Sequence, residues 1–103
     1  MWGNVDSPLN RQSNDTEVDA KGWMQWAPHE ESAVFTVMIT QNTVSGTGSK
    51  TYDKTKTTWQ IPVKAANNQK FQQGQAMASV TAVVTYDDGS TTTVNWTTQV
   101  QLN

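Results

Sequence analysis

The chain contains no cysteine. Disulfides and the common thiolate zinc sites are therefore excluded, while the redox compartment stays open. Histidine occurs once, at His29, beside Glu30 and Glu31. Those three lack the spaced partners of a metal site, and we expect an exposed turn histidine, no metal and no cofactor. Charged residues make up 16% of the sequence, below the usual quarter, and the net charge is −2. Arg11 and scattered lysines form no basic run, so no nucleic-acid partner is expected. No apolar run approaches the ~18 residues of a membrane-spanning helix, and we expect no membrane insertion. What fills the chain instead is Thr, Gln, Asn and Ser, together with five Trp. Thr-rich polar stretches suit the solvent faces of strands. At 103 residues a single domain with its own core is expected.

The clearest pattern is the last quarter, Gln75 to Leu102. Alternate residues of a strand point to opposite faces. Ala76, Ala78, Val80, Ala82, Val84 and Tyr86 share one face of a first strand. Thr92, Val94, Trp96, Thr98, Val100 and Leu102 share one face of a second. A two-residue Asp88-Gly89 turn would set Val84 beside Thr93 and Ala82 beside Asn95, mixing core with solvent. A three-residue loop, Asp87-Asp88-Gly89, pairs Tyr86 with Ser90, Ala82 with Val94 and Val80 with Trp96. A slip of one residue turns every side chain over, so the second register is expected, with Gly89 in the left-handed region.

Earlier in the chain, residues 1–16 read as an edge strand near Gly3 to Leu9 followed by a loop. Glu17 to Trp26 alternates, with Val18, Ala20, Gly22, Met24 and Trp26 on one side and Trp23 alone among polar residues on the other. Pro28 ends that strand. Ala33 to Thr40 is a strong strand with Ala33, Phe35, Val37 and Ile39 inward. Gln41 to Lys56, which carries SGTGS, reads as a mobile excursion with a short edge strand near Thr51 to Asp53. Lysines at 50, 54 and 56 suit a protected edge. Trp59, Ile61 and Val63 point inward from Thr57 to Val63, and Pro62 confines that strand to an edge or its end. Lys64 to Gly74 is a crossing loop with Phe71 plugging the end of the core, the alternative being one helical turn at Ala65 to Gln69. Trp26, Trp59 and Trp96 are expected to supply most of the core's bulk.

Six or seven short alternating strands suggest an all-β sandwich or barrel. Over residues 17–100 the order resembles a fibronectin type III or immunoglobulin-like domain. Trp26 stands where such domains keep a core tryptophan, FTVMI follows it, TTWQIPV looks like the strand before the long crossing loop, and GQAMASVTAVVTYDDGS is similar to the last hairpin. The tyrosine usual at the start of the penultimate strand is replaced by Gln75-Ala76-Met77. VVTYDDGSTTTV is also similar to a hairpin repeated in immunoglobulin-like modules of Gram-positive surface proteins. The resemblance implies an antiparallel, immunoglobulin-like β-sandwich serving as an extracellular bacterial module, or its counterpart on a phage particle. With no leader before Trp2, the sequence is expected to be one piece of a longer surface protein.

No nucleophile motif accompanies His29, and each acidic pair is accounted for by a turn or a strand start, so no enzyme is expected. SGTGS lacks the lysine spacing of a phosphate loop. Exposed aromatics stack on sugar rings, and neighbouring amides and hydroxyls satisfy sugar hydroxyls. Trp23 and Gln25, with Met38 on the following strand and with Trp2 and Tyr52 extending the patch, are the candidate ligand-binding residues. The expected role is a non-catalytic accessory or adhesion module that binds glycan or cell-wall polymer. The alternative is a structural spacer or decoration domain, on a cell surface or virion, whose partners are neighbouring protein domains.

Overall fold

A computed structural model describes Met1–Asn103. The chain is all-β and antiparallel, with eight strands: β1 Trp2–Val5, β2 Asn10–Gln12, β3 Glu17–Gln25, β4 Glu30–Gln41, β5 Val44–Asp53, β6 Thr58–Ala65, β7 Gly74–Tyr86 and β8 Thr91–Leu102. One short 3-10 turn, Ala66–Asn68, lies in the crossing loop. The hydrogen-bonded order is β1-β3-β6-β5-β4-β7-β8, with β2 also on β3. The two ends of this path are drawn together. Leu9 N–H donates to Gln101 O and Asn103 N–H donates to Leu9 O, both at 2.8 Å, so the sheet nearly closes into a barrel. The body measures 43 × 23 × 19 Å, elongated along the strands.

The β7–β8 hairpin has the three-residue register: Ala82 faces Val94 and Val80 faces Trp96. Tyr86 N–H donates to Ser90 O at 2.8 Å, and Gly89 takes φ 85°. Alternation also predicts the buried faces of β3, β4 and β6 at every position expected except Trp26. That residue is half-buried at the rim, where its indole N–H donates to Lys56 O at 2.6 Å. Phe71 is buried as expected, and its N–H donates to Asp15 O at 2.8 Å. The core centres on Phe35, not on the three tryptophans. Its ring meets Tyr52 at 5.4 Å, Trp96 at 5.8 Å and Trp59 at 6.1 Å. Trp59 is fully buried and Trp96 half-buried.

Further expectations are corrected: the six or seven strands are eight, and β6, expected at an edge or ending at Pro62, runs through Pro62 between β3 and β5. The edge strand near Gly3 to Leu9 is two strands. β1 stops at Val5, and β2 begins only after a break at Asp6-Ser7-Pro8. The larger correction is Gln41 to Lys56. The strand expected near Thr51 to Asp53 is present, but it is the end of the ten-residue strand β5, paired with β4 from Gln41↔Val44 to Ser32↔Asp53, where a mobile excursion was expected. The glycines of SGTGS are what the packing requires. A Cβ on Gly48 would lie 2.1 Å from Pro62 O, and one on Gly46 2.5 Å from Lys64 O. With hydrogen in place of a side chain, β6 can cross against β5 at that distance.

The link between β5 and β6 is short. They pair only at Gly46↔Ala65 and Thr47↔Lys64, then part. Pro62 lies just past that point, with its carbonyl toward Gly48. N–H and C=O of one strand residue point to the same side, so the missing Pro62 N–H falls where β5 offers no partner. Further along the seam Tyr52 bridges the gap. Its hydroxyl donates to Gln60 O at 3.0 Å and accepts from Gln60 N–H at 2.9 Å. Two groups of strands, β1-β3-β6 and β5-β4-β7-β8, are thus joined along one side by two residue pairs and one phenol.

Candidate functional site

Residues directly opposite on antiparallel strands share a face. Trp2 faces Gln25 and Asn4 faces Trp23 across β1–β3, and Trp23 faces Thr58 across β3–β6. These five side chains form one outward patch. Trp2 is 58% exposed. Trp23 is half-buried because it meets Trp2 edge to face, centroids 4.8 Å apart and planes at 84°. The pair holds a large aromatic surface toward solvent, flanked by two amides and a hydroxyl.

Of the residues that sequence brought together, Trp2, Trp23 and Gln25 share this patch, whereas Met38 and Tyr52 do not join it. Met38 points outward from β4, and β6 and β5 stand between β4 and β3 in the sheet. β3 and β4 follow one another in sequence but are not neighbours in the sheet. Tyr52 lies opposite Ala33 on the inner face, only 8% exposed, with its hydroxyl engaged by Gln60.

Along the patch β3 continues to Lys21, opposite Gln60. Here a cleft of ≈ 460 Å³ opens at the parting of β5 and β6. Tyr52 and Trp59 line it, and Lys21, Lys50 and Lys56 surround it. Lys50 lies opposite Phe35, on the inner side of β5. Its ammonium lies 5.3 Å from the Tyr52 ring centroid. In the sequence Lys50 and Lys56 suit only a protected strand edge. Lys50 and Lys56 are brought to Lys21 by a crossing that has no local sequence signature.

Met38 belongs instead to the outer face of β5-β4-β7-β8. Its rows run Thr51-Val34-Val83-Thr93, Ser49-Thr36-Thr81-Asn95, Thr47-Met38-Ser79-Thr97 and Ser45-Thr40-Met77-Gln99. Not one of these side chains is charged. Asn95 donates to the hydroxyls of Thr81 at 3.0 Å and Ser79 at 3.1 Å, so part of the grid is internally hydrogen-bonded.

The turns after β3 and β7 meet at one pole. His29 Nδ1 lies 2.9 Å from Asp87 Oδ2, and Asp87 N–H donates to His29 O at 2.8 Å. Ser90 is nearby, but its hydroxyl and N–H both go to Asp88 Oδ1. They hold the Asp88 carboxyl below the usual carboxylate range, the hydroxyl contributing most. The imidazole therefore has an acid partner and no nucleophile. No group of three or more His, Asp or Glu is arranged to hold a metal. Glu30 is buried at the same pole and accepts from Ala27 N–H at 2.6 Å and from the Met1 nitrogen at 2.8 Å. Comparison of the chain with family models, curated proteins and solved structures returns no match.

Proposed function

We propose that the chain is a non-catalytic binding module of an extracellular bacterial protein, and that the Trp2–Trp23 patch is its platform for glycan or cell-wall polymer. The observation that carries this reading is the edge-to-face pair itself. Trp2 is more than half exposed on a strand of a rigid sheet, and Gln25, Asn4 and Thr58 are placed around the rings to take up hydroxyl groups. Large exposed apolar groups rimmed by polar ones mark interaction sites. The lack of a nucleophile at the His29–Asp87 pair supports binding without turnover. In fold, we read the module as a fibronectin type III-like sandwich. In its support, the short β5–β6 link divides the strands into two groups, β1-β3-β6 and β5-β4-β7-β8, as a two-layered domain requires.

Glycan arrays probed with wild type, Trp2→Ala and Trp23→Ala test the reading. Binding that both substitutions abolish, with folding intact, is the expected result. Wild-type binding that survives both would remove the platform from the site.

A second reading, a spacer or decoration domain of a surface protein or phage particle, is favoured by the uncharged outer face of β5-β4-β7-β8. Val34, Met38, Met77 and Val83 are each 41–44% exposed there, a surface that packs against a neighbouring domain without desolvating a charge. Protection of that face from hydroxyl-radical labelling within a longer parent chain would favour it.

A further inference from the structure

We infer that the ligand of this module is an anionic polymer, and that the lysine cleft beside the tryptophan platform reads its charge. This rests on the platform reading above and names the chemistry of the ligand. The cleft and the platform are one surface. Lys21 and Trp23 lie on the same face of β3, and Thr58, opposite Trp23, lines the cleft. The lysines therefore border the same surface as the aromatic pair.

The lysines have no carboxylate within ion-pair distance. The ion pairs of the molecule use the Met1 nitrogen, Arg11, His29 and Lys54, and none uses Lys21, Lys50 or Lys56. Asp6 is the one acid lining the cleft. Asp19, opposite Pro62 on β3, has both carboxylate oxygens engaged by the Gln60 amide, at 2.8 and 2.9 Å. Asp53 feels Lys56 only as a minor influence, after its hydrogen bonds from Thr55. In a chain of net charge −2, three unpaired cations around one opening are a local reversal of sign. The geometry fits repeated carboxylates or phosphodiesters: a ring or backbone unit on the tryptophans and an acidic group at the lysines.

The test is affinity electrophoresis of the whole chain through gels containing polygalacturonate, poly(glycerol phosphate) or a neutral β-glucan. Wild type is expected to be retarded by at least one of the two anionic polymers, and which one identifies the acidic group. Retardation should fall as NaCl rises from about 50 to about 500 mM, because exposed charge pairs are screened. Lys21→Gln/Lys50→Gln/Lys56→Gln should weaken binding by on the order of tenfold with an unchanged unfolding midpoint, since each exposed pair contributes modestly. Retardation by the neutral glucan, insensitive to the lysine substitutions but lost in Trp23→Ala, would overturn the anionic inference and leave the platform standing. No retardation by any polymer would overturn both.

Discussion

Replacing Tyr52 by Phe removes one oxygen and leaves the rest of the core in place. The ring keeps its contact with Phe35 at 5.4 Å, and no cavity forms. What is lost is the bridge across the seam: a hydrogen bond given to Gln60 O at 3.0 Å and one taken from Gln60 N–H at 2.9 Å. A typical protein hydrogen bond contributes a net ~0.5–1.5 kcal/mol, so the pair is worth about 1–3 kcal/mol. The seam opens into the cleft, where water can reach the freed Gln60 groups, and this moves the expectation to the lower half, about 1–2 kcal/mol. In a domain of this size that corresponds to a fall in Tm of roughly 5–15 °C. Urea unfolding should show a lower midpoint with an unchanged slope, because the same surface is exposed. Amide exchange separates this local bridge from a diffuse effect: the Gln60 N–H should lose protection while β4 and β7 amides follow global stability. An unchanged midpoint with Gln60 still protected would refute the bridge as a link between the two groups of strands.

Three further substitutions or conditions follow from the same geometry. Gly48→Ala puts a methyl 2.1 Å from Pro62 O, so backbone must move; a loss of about 1–3 kcal/mol is expected in urea unfolding, and wild-type stability would contradict the close crossing. Gly89→Val has open space around it but must hold φ 85°, so a backbone cost of about 1–2 kcal/mol should appear in the unfolding midpoint. For pH, Ser90 lowers the folded-state Asp88 pKa and Thr55 that of Asp53, both from 3.8. A lowered folded pKa means the unfolded chain binds more protons in that window. Their stabilisation is therefore present above pH 3.8 and lost as pH falls through the folded values. Thermal unfolding from pH 7 to 2 should show this acid loss, reduced in Asp88→Asn; an identical profile in that variant would remove Asp88 from the effect.

Much of the fold was legible because period-two alternation is a local property. It assigned the buried faces of β3, β4, β6, β7 and β8, and the need to match apolar faces chose the hairpin register. Of β5 only the end, Thr51 to Asp53, is legible as strand, because VSGTGSK has weak strand propensity and two glycines, which read as flexible in isolation. Their meaning lies in Pro62 and Lys64, over a dozen residues away. Tyr52 was placed on the surface for the same reason. Without the β4–β5 register nothing set its face.

The candidate site divides along the same line. That Trp23 stands outward on a polar strand face was determined by the sequence of β3 alone. That Trp2 comes to stack on it, that two strands separate Met38 from it, and that Lys21, Lys50 and Lys56 converge were decided only by the strand order. Side-chain direction follows from neighbouring residues, whereas adjacency between strands follows from pairing between distant segments. No short stretch of this chain records which segments pair.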